Sequence, residues 1–374
     1  MQKNGFHFES RILPFYTSAY AFKFDCVRYL QHENAISEYL KSEAERFGTK
    51  AFIICGENGY RAAHSKIENA LEQSKIKYYF SIFKSTCCIE NADDLAKEIK
   101  NGGYDLVIGV GGGVFMDQAK LTAARAGTRL IQIPTSSATC AAVTPLSVTY
   151  SRDTGATIGS IKLMTEADAV IVDLGILIKQ PQRLFGAGIM DTKAKKIEIE
   201  HRHLKMNGNK HLLGFDYAYH ISKLLFEQLE ELVTGALESM KTGTVTDSFE
   251  KLIFAAIAIT GIVSGICKGS NQCAIAHKFY EECRSFFYEN TLNFLHGELV
   301  AVGLLVRLSY FGSDCAYMIN ELTTLKLPKC LSELNIPTDA VEKFADELCN
   351  SSAINDTSDI SRKRMLDALE IIKK

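Results

Sequence analysis

The stretch "VIGVGGGVFMDQAK", residues 107–120, decides how the chain folds, because an apolar strand runs into three consecutive glycines and then into an amphipathic segment. Gly111, Gly112 and Gly113 lack a Cβ, so the backbone can turn tightly and approach a bulky ligand closely. A helix starting at about Val114 would aim its free N–H groups and positive dipole end at that ligand, which suits a phosphate. Standing alone, the stretch is equally compatible with a plain strand-to-helix turn. It is also an incomplete dinucleotide fingerprint: Gly109-x-Gly111 is present, but Val114 stands where the third glycine belongs. The rest of the chain has to decide.

Around this turn the first half alternates. "KAFIICG" (50–56), "KYYFSIF" (77–83), "DLVIGVGGG" (105–113), "RLIQIPT" (129–135) and "AVIVD" (169–173) read as buried strands. "RAAHSKIENALEQSK" (61–75) and "NADDLAKEIKNG" (91–102) read as helices, the second capped by Asn91. Strands separated by helices of this length predict a parallel sheet with helices on both faces, an α/β domain. In such sheets ligands bind beyond the carboxyl ends of the strands, where the triple glycine lies. After Pro181 the periodicity turns helical, as in "YHISKLLFEQLEELVTGALESM" and "GELVAVGLLVRLSYF". These shifts predict two domains, an α/β domain over 1–182 and an all-α domain over 183–374.

Composition excludes some classes. A formal net charge of −2 gives no hint of nucleic acid or an anionic membrane as partner. The start, "MQKNGFHFESRILPFYTSAYAF", has no continuous apolar core of signal-peptide type, and no uncharged apolar run is long enough to span a bilayer. Eleven cysteines, an odd number without C-x-x-C pairs, point to reduced thiols in the cytoplasm instead of a disulfide framework. The basic cluster Lys193, Lys195 and Lys196, followed by Glu198 and Glu200, reads as a solvated helix face.

In the helical half, His277 lies inside one predicted helix and His296 opens another, nineteen residues later. They can meet only if the chain turns between them, and Glu289-Asn290 offers a turn. Asp191, after two glycines at an expected helix start, is a third candidate. Two imidazoles and a carboxylate form a usual catalytic zinc set with one position open. Each also has a bland reading, as a hydrogen-bonded core histidine or a helix N-cap.

"GVGGGVFMDQAK", "IPTSSATCAAVTPLSVTY", "AGIMDTKAK" and the late His-Gly-Glu together resemble the iron-containing alcohol dehydrogenase superfamily, and its glycerol dehydrogenase-like branch in particular. The resemblance covers nearly the whole chain apart from a weak match over the first thirty residues, and it implies an N-terminal dinucleotide-binding α/β domain with a parallel sheet joined to an all-α C-terminal domain. It implies that Asp191, His277 and His296 hold a divalent metal and act through it. It implies that Gly111, Gly112, Gly113, Asp117, Thr135, Thr144, Leu146 and Tyr150 surround NADP or NAD, with Asp117 orienting the nicotinamide end. The expected activity is a metal-dependent, NAD(P)-linked dehydrogenase or reductase of a small hydroxy compound, working as a homo-oligomer.

Four positions depart from the pattern. The iron-binding branch has a His four residues after the Asp; here it is Lys195, which favours zinc over iron. Met190 replaces a glycine before Asp191. Cys140 stands where glycerol dehydrogenases hold polyol hydroxyls with an Asp; a thiol is a poor acceptor, and losing that charge favours anionic 2-hydroxy or 2-oxo acids. A related hydroxycarboxylate dehydrogenase-like subgroup shares this segment. Gly56 stands where NAD-preferring members carry a ribose-binding Asp, which leaves room for a 2′-phosphate, although Glu57 could substitute. Glycerol dehydrogenase is the alternative activity. A dehydroquinate synthase-type lyase, gripping a polyanion with Lys193, Lys195, Lys196 and Arg202, and a non-catalytic nucleotide-binding relative complete the field.

Overall fold

The computed structural model describes residues 27–164, 166–205, 214–267, 273–350 and 361–374. The N-terminal stretch weighed above as a leader lies outside the described residues. Among these, the triple glycine joins strand β4 (Leu106–Gly111) to a helix (Gly113–Ala126). β4 sits inside a six-stranded, wholly parallel sheet of order β1-β8-β5-β4-β2-β3. The other strands are β1 (Arg28–His32), β2 (Lys50–Cys55), β3 (Lys77–Ile82), β5 (Arg129–Pro134) and β8 (Ala169–Asp173). Every residue of β4 and β8 is buried, which explains why they read as unbroken apolar runs. β6 (Leu146–Tyr150) and β7 (Thr157–Lys162) form a separate antiparallel hairpin.

Helices α1 (Ala35–Phe47), α2 (Glu57–Glu72), α3 (Ile89–Gly102) and α4 (Gly113–Ala126) alternate with the strands. α3 begins two residues before the expected cap. Its N-cap is Cys88, whose sulfur accepts from the Asn91 backbone N–H, while the Asn91 amide donates to Ser85 and to the Thr86 carbonyl. Gly109 lets α4 and β5 close onto β4, since a Cβ there would lie 2.5 Å from Gln132 Oε1 and 2.6 Å from Ala119 Cβ.

The second half is helical: α5 (Gln182–Lys205), α6 (Phe215–Thr242), α7 (Asp247–Phe254), which runs on through a π-helical turn to Ile266, α8 (Ile275–Phe286), α9 (His296–Tyr310) and α10 (Ala316–Leu325). The chain divides into two compact units. One takes described residues up to Gln180 together with Leu232–Ile262; the other takes those of Pro181–Glu231 and Val263–Lys374. The units change between Gln180 and Pro181, and Leu232–Ile262 groups with the first unit. The stretch Asp247–Ile266 is the one described helix long and apolar enough to cross a membrane, and most of it is buried within the fold.

Replacing Gly109 by Ala should cost about 1–3 kcal/mol, the usual penalty of overpacking a tight core. Urea denaturation measures it, and an unchanged midpoint would show that α4 and β5 can yield.

Candidate metal centre and dinucleotide site

In the first unit, Gly111 has φ 147°, a conformation L side chains rarely adopt, so the turn needs a glycine there. Gly112 is the N-cap of α4, with no side chain capping the helix and no acid in its first turn. A Cβ on Gly113 would stand 2.9 Å from Thr139 Oγ1, so the segment after β5 lies close over the turn. Thr135 ties that segment to the turn through its backbone N–H, 2.9 Å from the Gly111 carbonyl.

Asp117 is buried on α4. Its carboxylate accepts from the Val148 N–H at 3.0 Å and pairs with Lys120 at 2.9 Å. Burial pushes this carboxyl up, and Lys120 and the Val148 N–H offset only part of that. The buried Lys120 ammonium donates to the carbonyls of Ala141 (2.7 Å), Thr144 (3.0 Å) and Leu146. Asp117 and Lys120 thus fasten the Cys140–Tyr150 segment onto α4, a role of Lys120 that sequence reasoning missed. Thr144 and Cys140 are buried in that segment, while Leu146 and Tyr150 bound β6, and the Tyr150 N–H donates to the Cys87 carbonyl.

Gly56 ends β2 and caps α2, and a Cβ on it would overlap the Phe115 ring. Phe115 meets Phe83 edge-on with ring centroids 6.4 Å apart. Glu57, the possible substitute for a ribose-binding acid, is held by Lys84 at 2.8 Å. That hydrogen bond and charge keep its carboxyl below the ordinary value.

In the second unit, Asp191, His277 and His296 converge, and one ligand atom from each lies within 4.8 Å of the others. Asp191 Oδ1 is 3.5 Å from His277 Nε2 and 3.4 Å from His296 Nε2. Donors bound to zinc at about 2.1 Å in a tetrahedron stand roughly 3.4 Å apart, so this donor set fits such an ion. Asp191 is not at a helix start; it lies midway along α5, and the helix runs unbroken through the buried Met190. The short helix Tyr288–Thr291 supplies the turn between the two histidine-bearing helices.

Each group is oriented by a neighbour. His277 Nδ1 bonds to the fully buried Glu198, which also accepts from the Ala276 N–H at 2.6 Å. With its Nδ1 proton given to Glu198, the imidazole presents the Nε2 lone pair to Asp191's side. Burial alone would raise the Glu198 carboxyl, but His277 and the backbone N–H groups hold it below the ordinary value. Burial would likewise raise Asp191, yet the Lys195 ammonium and the two imidazoles beside it hold it well below. Burial and Lys195 act to lower His277, but Glu198 and Asp191 outweigh them and raise it. For His296, burial wins over Asp191 and lowers it. Gly297 brings α9 against α5, since a Cβ there would overlap the Ala187 carbonyl. Glu298 accepts from the Leu295 N–H at 2.7 Å and pairs with Arg183, which completes the reasons for His-Gly-Glu.

The lysine cluster is not a solvated face. Lys193 is fully buried between Glu230 and Glu321, and Lys195 is buried beside Asp191 at 3.0 Å. Each escapes the cost of a buried charge through carboxylates carried elsewhere in the helical half or one turn away. Glu198 shares the Asp191 face at the i+7 position, a spacing visible in the sequence but read there as countercharge.

Comparison with known proteins bears on the family and the fold. The family model described as iron-containing alcohol dehydrogenase matches residues 26–174. The chain is 32% identical to hydroxycarboxylate dehydrogenase A of Escherichia coli (strain K12), over 77% of this chain and 78% of that protein. It is 29% identical to a glycerol dehydrogenase of Thermotoga maritima, over 92% and 94% of the two chains. The crystal structure of a probable glycerol dehydrogenase from Sinorhizobium meliloti 1021 superposes with a TM-score of 0.79 at 23% identity, covering 94% of this chain and 98% of the other. This chain belongs to the iron-containing alcohol dehydrogenase family. It is an oxidoreductase acting on CH–OH donors, with a small molecule as substrate and with NAD(P) and a divalent metal as the family's cofactors.

If Glu198 orients His277, Glu198→Gln should weaken zinc binding roughly 10–100-fold, as is usual when a ligand's outer partner is lost. Competition against a chromogenic chelator reads this out, with circular dichroism as a folding control. Zinc affinity equal to wild type would dismiss the role.

Proposed function

We propose that the protein interconverts a small 2-hydroxy acid and its 2-oxo acid, using NADP in preference to NAD and zinc in preference to iron. The observation that carries the reading is the convergence of Asp191, His277 and His296 with donor spacings suited to one ion. Zinc is favoured because three nitrogen and oxygen donors leave one corner open, and the side chain that follows Asp191 by one turn is a lysine. When bound, the ion would polarise the substrate oxygen as a Lewis acid. The nicotinamide would carry the hydride by its own chemistry.

The first unit serves as the dinucleotide domain in this reading. The uncapped N-terminus of α4 faces the pyrophosphate, and Gly111–Gly113 allow close approach. Gly56, Thr135, Thr144, Leu146 and Tyr150 border the cofactor. Asp117, buried against Lys120 and Val148, acts by positioning the Leu146–Tyr150 hairpin strand. NADP is favoured because Glu57 is already paired with Lys84 and is a weakened partner for ribose hydroxyls, while Lys84 offers a cation near the end of β2. A reducing compartment such as the cytoplasm suits ten described cysteines that are all free of disulfides.

Glycerol oxidation is the second reading, favoured by the long match to a glycerol dehydrogenase. Cys140 argues against it, since a thiol replaces a charged acceptor for hydroxyl groups. The polyanion-gripping lyase loses support from Lys193, whose charge is committed to Glu230 and Glu321.

Purified protein with NADPH should reduce 2-oxobutyrate faster than hydroxyacetone, and a chelator should abolish the loss of NADPH absorbance. Chelator-resistant turnover, or cofactor binding without turnover on any oxoacid, ketone or aldehyde, would overturn the reading. Cys140→Asp should move preference toward hydroxyacetone and glycerol, and unchanged preference would remove the argument from Cys140. Lys84→Glu should lower the NADPH-to-NADH ratio of kcat/KM about tenfold or more, the worth of one charge-assisted phosphate contact. An unaltered ratio would take Lys84 out of cofactor selection.

A further inference from the structure

Lys195 and Asp191 lie one turn apart on α5, both almost wholly buried, with Lys195 Nζ 3.0 Å from Asp191 Oδ1. The same nitrogen lies 3.2 Å from His277 Nε2. Oδ1 is also the Asp191 atom that faces both imidazoles. His277 Nδ1 is committed to Glu198, so Nε2 offers a lone pair, and Lys195 is placed to donate to it. The lone pairs that a divalent ion would need at Asp191 and His277 are therefore the ones that the ammonium holds.

We propose that Lys195 is the resident cation of this donor set, pairing with Asp191 and His277 in the absence of metal and having to withdraw when an ion binds. The inference rests on the reading of Asp191, His277 and His296 as metal ligands. Its physical content is competition. A buried carboxylate needs a positive partner, and Lys195 supplies one without any ion. Loading then exchanges an existing ion pair for metal bonds and leaves an ammonium beside a divalent cation, where like charges repel. The site should bind metal weakly and exchange it readily, in contrast to a structural zinc site closed by four ligands.

The test measures zinc affinity of metal-stripped wild type, Lys195→Met and Lys195→Gln by competition with a chromogenic chelator. Both variants should bind zinc at least tenfold tighter than wild type. Gln keeps a polar group beside Asp191, so it serves where Met impairs folding. Melting temperatures give a second readout: the metal-free Lys195→Met protein should melt lower than wild type, and zinc should raise its melting point by more. Weaker zinc binding in the variants would make the Lys195 amine a ligand and overturn the proposal, as would equal affinities and equal zinc-induced shifts. Asp191→Asn separates the two levels. If zinc binds wild type and the Lys195 variants alike but not Asp191→Asn, the metal site stands and only the competition falls. If no form binds zinc, both fall.

Discussion

A carboxylate buried in a helical bundle is the constraint around which the second unit is organised. Asp191 is almost wholly out of water, and an isolated charge there would be prohibitively expensive. Its neighbours answer that cost from three helices: Lys195 from α5 itself, His277 from α8 and His296 from α9. Glu198, on the same face of α5, fixes His277 in turn. The close packing follows the chemistry, because His296 can approach only where Gly297 leaves α9 free to lie on the Ala187 carbonyl.

The first unit solves a similar problem with different parts. Lys120 is a buried ammonium that would be costly alone, and Asp117 together with three backbone carbonyls surrounds it. Carbonyls at Ala141 and Thr144, outside the helices and strands, and at Leu146, which opens β6, all accept from this one ammonium. One side chain thereby shapes the segment from Cys140 to Tyr150. Rigidity here is polar in origin, whereas the sheet beneath is held by apolar burial.

The sheet was legible in the sequence because a parallel strand buried on both faces must be apolar along its length, and "AVIVD" became β8 without a residue's error. The triple-glycine turn was legible for the same kind of reason, since few residues tolerate φ 147° at Gly111. Asp191, His277 and His296 could be named from motif order, but their meeting depends on helix packing that no local pattern encodes. The errors share a cause. Local rules assign an Asp after glycines to a helix start, a run of lysines to solvent and an Asn to a cap. The structure answers differently in each case: α5 continues through Asp191, the distant Glu230 and Glu321 bury Lys193, and the nearby Cys88 caps α3.

Two lysines, Lys84 and Lys195, lie beside candidate binding residues, and burial decides how differently they can act. Lys84 and Glu57 are both more than half exposed, so water and salt screen their pairing, which contributes little to stability. In the proposed reading Lys84 would turn from Glu57 to an incoming phosphate at small cost, so its effect would fall on cofactor selection. Lys195 and Asp191 are shielded from such screening, and separating them strands a charge unless another cation arrives. In the proposed readings the same residue type would tune a preference near the sheet and govern occupancy within the helical bundle. A lysine at the fourth corner is then a chemical change in the site, with consequences set by its dielectric surroundings more than by its length or shape.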